Sequence, residues 1–142
     1  MEQRISLITL GARDPALLAD FYEALGWRRV ETPDGIIAFD LIGQALGLYP
    51  LDKLAEDMGR DPKTLGHGAA TFSHNVAYQE QVGALMDRVE AAGGEILRPA
   101  SDVFWGGHIG YFSDPEGHVW EVAHNPFSTL GPNGEFRWNG YG

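Results

Sequence analysis

No cysteine occurs among the 142 residues, so a disulfide framework, a thiolate metal site and a cysteine nucleophile are all excluded. Any metal would have to be held by imidazole, carboxylate or amide. Basic residues are also scarce. The 10 Lys and Arg stand against 20 Asp and Glu, a formal charge of −10 that repels a phosphate backbone or an anionic membrane surface. Neither nucleic acid nor membrane is an expected partner. No run approaches the roughly 20 apolar residues that span a bilayer. The opening Met1-Glu2-Gln3-Arg4 leads into an amphipathic, strand-like run rather than an apolar signal core, which makes the cytoplasm the expected location. What is present, 44% hydrophobic and 21% charged residues, is the balance of a globular chain long enough to bury one core.

Residues 4–10 are aliphatic and β-branched and are followed by Gly11, a pattern that predicts a strand. Asp14-Pro15 offers an N-cap carboxylate and a proline suited to the first helical position. Leu17, Phe21 and Leu25, flanked by Leu18 and Tyr22, then make one broad apolar helix face that ends at Gly26. Residues 27–31, 36–41 and 45–49 follow as three short strands, so a first βαβββ module covers about residues 4–50. The same order then returns. Residues 70–77 read as a strand, and residues 80–92 as a helix carrying Val82, Leu85, Met86 and Val89 before Gly93-Gly94. Strands over 95–97, 108–112 and 118–124 complete a second module, about residues 70–126, its last two strands joined by the turn Asp114-Pro115-Glu116-Gly117. The spans from Ile5 to Gly26 and from Phe72 to Gly93 are equal, which aligns Leu7 with His74. Between the modules, residues 51–69 form a crossover with a short helical stretch, LDKLAEDM. Residues 127–142 form a polar, Gly-rich tail containing Trp138 and Tyr141. The expectation is a single α+β domain over residues 1–142.

The stretch WGGHIGYFSDPEGHVWEVAHNP, Trp105 to Pro126, taken with the two βαβββ modules, resembles the vicinal oxygen chelate superfamily. That superfamily includes glyoxalase I, bleomycin-resistance proteins and extradiol dioxygenases; the likeness is greatest to its loosely described glyoxalase-like branch. The most specific feature is the Asp-Pro-x-Gly turn followed four residues later by Glu121. The resemblance implies curled mixed sheets forming a pair of half-barrels with helices outside, a cavity for a small molecule, and a homodimer. In metal-bearing relatives four side chains from four strands meet inside the curl. There a divalent Zn, Ni, Mg, Mn or Fe ion can chelate two adjacent substrate oxygens and stabilise an enediolate.

Carried onto this chain, the family's ligand positions are half filled. His74 and Glu121 fall on two of them, whereas Leu7 and residues 45–48 supply nothing that binds a metal, so the set is incomplete and no cofactor is the favoured expectation. Asp40 and Gln44 would add a ligand only in another strand register. Strand alternation sends His74 and Asn75 to opposite faces, and only one can look into the curl; His74 is the first candidate and Asn75 the alternative. Glu121 lies between Trp120 and Val122 and so faces away from them, where it would serve as ligand, general base or acceptor from a bound molecule. His118 and His124 share the face of Trp120 and Val122, and His67 falls in the crossover, a solvated position. In the loop Trp105-Gly106-Gly107-His108, the glycines let backbone approach a ligand, with Trp105 as a wall and His108 as a polar contact. Tyr111 and Phe39 are further wall candidates. Two functions follow. One is glyoxalase-type lyase or isomerase chemistry on a small carbonyl or vicinal-oxygen compound, with His74 and Glu121 catalytic. The other is non-catalytic sequestration of a small molecule, as in the bleomycin-resistance branch.

Overall fold

In the computed structural model, which describes residues 1–142, Asp14 starts helix α1 (Pro15–Ala24) by accepting the Leu17 backbone N–H at 3.0 Å, and Pro15 occupies the first turn. The helix buries Leu18, Phe21 and Tyr22 against Phe39, Leu46 and Leu48 of a three-stranded sheet. Its strands are β1 (Leu7–Ala12), β2 (Ile37–Asp40) and β3 (Ala45–Pro50), in the order β1-β3-β2, with β1 parallel and β2 antiparallel to β3. β1 continues past Gly11 because the missing side chain leaves room for a helix. A Cβ there would lie 2.7 Å from Leu51 Cδ1, and Leu51 opens α2 (Leu51–Met58), which coincides with the expected LDKLAEDM stretch.

Residues 27–31, expected as a strand, are not one. A single backbone bond, Val30 N–H to Ala38 C=O at 2.8 Å, ties the segment to β2. Its side chains are drawn elsewhere: Trp27 stacks on Tyr22 with ring centroids 5.1 Å apart, and Arg29 is held by Glu23 at 2.6 Å and Asp20 at 2.7 Å. The segment docks on α1 instead of extending the sheet.

The chain divides into two compact units, Met1–Gly66 and His67–Gly142, at a boundary inside the expected crossover. In the second unit α3 (Glu80–Ala91) packs on a four-stranded sheet of β4 (Phe72–Asn75), β5 (Glu95–Asp102), β6 (His108–Ser113) and β7 (Val119–His124), ordered β4-β7-β6-β5. β4 runs parallel to β7, and the remaining neighbours are antiparallel. In each unit the first strand therefore lies parallel beside the last, and the last beside the one preceding it, so the repeat read from the sequence recurs in topology. Both sheets are open. Val82, Met86 and Val89 of α3 are buried with Phe112, Trp120 and Val122. Met86 sits so close over β6 that a Cβ on Gly110 would fall 2.9 Å from its Cε. No helix is long and apolar enough to cross a membrane.

Candidate functional site

The β6–β7 hairpin is set by its turn. Asp114 accepts the backbone N–H groups of Glu116 and His118 at 3.0 Å each and binds the His118 ring Nδ1 at 2.8 Å, and Gly117 takes a φ of +96°. That turn brings Ser113 opposite Val119, so that Tyr111 pairs with Glu121, Gly110 with Val122 and Phe112 with Trp120. Gly110 faces Met86 of α3, and Phe72 packs on Trp120 with ring centroids 5.2 Å apart. Alternation then assigns the two faces. Phe72, His74, Gly110, Phe112, Trp120 and Val122 look toward α3; Ser73, Asn75, Tyr111 and Glu121 look away from it.

On that second face Glu121 is the centre. Its Oε2 accepts the Tyr111 hydroxyl at 2.7 Å and its Oε1 accepts the Ser73 hydroxyl at 2.9 Å. Three adjacent strands thus deliver one carboxylate and two hydroxyls to one spot. The bond to Glu121, followed by burial and the carboxylate's negative charge, pushes the Tyr111 phenol above its ordinary pKa, while the positive charge of Arg98 pulls the other way. Tyr111 is therefore a protonated donor throughout the neutral range. Arg98 of β5 lies opposite Tyr111 and is exposed.

Several expected residues are placed elsewhere. His74 pairs with Val122 and so lies on the α3 face; it and Glu121 cannot act as joint ligands or as a joint acid-base pair on one side of the sheet. Desolvation of the His74 ring lowers its pKa. The alignment of Leu7 with His74 fails for the same reason. Gly47 and Glu121 are each the third residue of a last strand, flanked by two buried residues, and their partners are Thr9 and Ser73. Asn75, the alternative to His74, shares the Glu121 face. Phe39 is no wall residue: it is 1% exposed in the α1 core, with ring centroids 5.5 Å from Trp27 and 6.1 Å from Tyr22. His108 pairs with His124, on the face opposite Tyr111, and its Nδ1 meets Asp102 at 2.8 Å. Trp105 lies across Gly107, where a Cβ would fall 2.1 Å from the indole, so that glycine accommodates the tryptophan of its own loop. His67, expected in solvent, is exposed, and its ring also meets the His118 ring edge-on with centroids 4.8 Å apart. Ser73 and Arg98 went unread in the sequence. Ser73 becomes visible once the β4–β7 register is known, but Arg98 has no signal in strand periodicity because the register shifts between Ile96 and Arg98.

The metal implied by the resemblance does not fit these residues. No imidazole shares the face of Glu121, so its carboxylate has no second ligand of the expected kind beside it. The matching face of the first unit carries Leu7, Thr9, Gly47 and one carboxylate, Asp40. Nowhere do three or more His, Asp or Glu side chains form a group able to hold an ion, whereas catalytic divalent sites draw on about three protein ligands.

Comparison with known proteins agrees with the fold. Residues 4–122 match the family model described as Glyoxalase/Bleomycin resistance protein/Dioxygenase superfamily. A glyoxalase-related enzyme from Fulvimarina pelagi is 37% identical, with a TM-score of 0.88 over 96% of this chain and 99% of that one. A lactoylglutathione lyase from Agrobacterium tumefaciens has the same fold at 22% identity, with a TM-score of 0.66 over 88% of this chain and 96% of that one. The anthracycline biosynthesis protein DnrV of Streptomyces peucetius is 30% identical over 120 residues, 80% of this chain; the match spans only 44% of that longer relative.

Proposed function

Because the chain belongs to the glyoxalase/bleomycin resistance protein/dioxygenase superfamily, we propose that it binds a small vicinal-oxygen compound, such as an α-hydroxycarbonyl, at Glu121, Tyr111 and Ser73 without a divalent ion. The observation that carries this reading is the pair of hydroxyl donors on the two oxygens of one carboxylate. Each carboxylate oxygen has a further lone-pair direction, and the Tyr111 and Ser73 oxygens can also accept. With the hydroxyl protons turned toward Glu121, the cluster is short of donors and rich in acceptors. It favours a ligand that brings an O–H or N–H of its own. Asn75 on the same face adds an amide that can donate to a carbonyl oxygen.

Calorimetric titration of the full chain with a panel of α-hydroxycarbonyl compounds, in chelator and again with added Zn, Ni or Mg, tests the proposal. Glu121→Gln is expected to weaken binding about 10- to 100-fold, the range of a hydrogen bond to a charged acceptor. Tyr111→Phe should weaken it less, and chelator should change nothing. Unaltered affinity in both variants, or binding that requires added ion, overturns the reading.

Pairing of two copies belongs to the same proposal. Phe104, Phe127 and Trp138 are 102%, 70% and 83% exposed, apolar surface that a second subunit would cover. Light scattering should give twice the 15.5 kDa chain mass; the mass of one chain would count against pairing.

A further inference from the structure

We infer that Arg98 makes this site select anions, so that the preferred ligand is a 2-hydroxy carboxylate whose hydroxyl meets Glu121 and whose carboxylate meets the guanidinium. The inference rests on the proposed site and narrows its ligand class.

The argument begins in β5. Ile96 lies opposite Phe112, yet Arg98 lies opposite Tyr111, so two steps along β5 match one along β6. In a regular strand Ile96 and Arg98 would share a face, and Arg98 would be driven under α3 with Phe112. The extra residue at Leu97 reverses the parity and turns Arg98 to the face of Tyr111 and Glu121. Pro99 follows, and a residue without an N–H suits an interrupted ladder. The register shifts again before Ser101 pairs with Ile109, so both irregularities border Arg98.

What the bulge delivers is a cation without a carboxylate. Arg98 forms no ion pair although the chain carries 20 acidic residues, and Glu121, on the same face, is bonded to hydroxyls instead. Arg98 stands opposite Tyr111 on the neighbouring strand, and its positive charge acts to lower the pKa of that phenol. A planar guanidinium offers a two-pronged donor that matches a carboxylate far better than a single carbonyl oxygen. Across the face, in the order Arg98, Tyr111, Glu121, Ser73, the guanidinium is therefore the free donor at one end, and the carboxylate and its two hydroxyls offer acceptors beyond it. A 2-hydroxy acid, with its anionic end beside its hydroxyl, is complementary to that order. A simple diol lacks the anion, and a dianion would meet Glu121.

The test compares two compounds of nearly the same shape, the anion mandelate and the neutral mandelamide, by calorimetry and by amide chemical shifts on the full chain. Mandelate should bind about tenfold more tightly, since a charge-assisted hydrogen bond is roughly twice as strong as a neutral one. Arg98→Gln should erase that preference while leaving mandelamide unchanged, and Arg98→Lys should restore it in part. Glu121→Gln should weaken both compounds. Equal or better binding of mandelamide, or a preference that survives Arg98→Gln, overturns the role of Arg98 and leaves the ligand site standing. Binding of neither compound overturns the hydroxy-acid assignment. If the neutral panel also fails to shift the amides of Ser73, Tyr111 and Glu121, the site itself falls with it.

Discussion

Replacing Asp114 with alanine measures how strongly the β6–β7 turn holds Tyr111 against Glu121. The Asp114 side chain is fully buried and the His118 side chain 9% exposed. Removing the carboxylate orphans two buried donors, the His118 backbone N–H and its ring Nδ1, at about 1–3 kcal/mol each. The Glu116 N–H loses the same acceptor but lies near enough to solvent to recover a water. The expected loss is about 3–4 kcal/mol, which for a chain of this length lowers the melting temperature by roughly 10 °C. Asp114→Asn is the control. Its amide oxygen keeps the two backbone bonds, and the imidazole can change tautomer to accept from the amide nitrogen, so about 1 kcal/mol is lost. Urea unfolding followed by circular dichroism separates the two variants. Equal midpoints, or an alanine variant within about 1 kcal/mol of the parent, would refute the reasoning that this carboxylate fixes the hairpin.

The raised pKa of Tyr111 means that stability from its bond to Glu121 is fully present below the ordinary phenol value of 10.0 and lost as pH rises through the folded value. Absorbance titration should find one of the five tyrosines ionising late, and Glu121→Gln should return it toward the others; identical titrations would remove the electrostatic link. His74 has the opposite sense. Its folded pKa is depressed, so the stability of the neutral ring is complete above pH 6.5 and lost as pH falls through the folded value. Melting temperatures at pH 7.5 and pH 5 should therefore differ less in His74→Asn than in the parent, and an equal or larger difference would contradict the desolvated ring. Phe39→Ala should cost about 3–5 kcal/mol while leaving ligand affinity intact in the folded fraction. A stable Phe39→Ala protein that has lost binding would place Phe39 in the site after all.

The parts legible in the sequence were those governed by neighbours along the chain. Asp14-Pro15 capped α1 through a bond three residues long, LDKLAEDM coincided with α2, and Asp114-Pro115-Glu116-Gly117 formed its turn. Equal spans between strand and glycine misled the alignment of the two modules. The helices end in step, but the first strands are set by pairing with the last ones, so Ser73 rather than His74 meets Glu121. Residues 27–31 had strand composition, yet ion pairs from Arg29 and stacking by Trp27 held them to α1.

Local chemistry was enough to specify two similar units, their helix caps and a Glu121 turned away from Trp120 and Val122, because each depends on periodicity or on partners a few residues distant. The company Glu121 keeps was settled only by tertiary structure. Ser73 is 48 residues away in sequence and reaches it through a parallel register, and Arg98 reaches its face through a bulge. Strand alternation has a period of two, so one inserted or shifted residue reverses every side chain beyond it, and no composition records that choice.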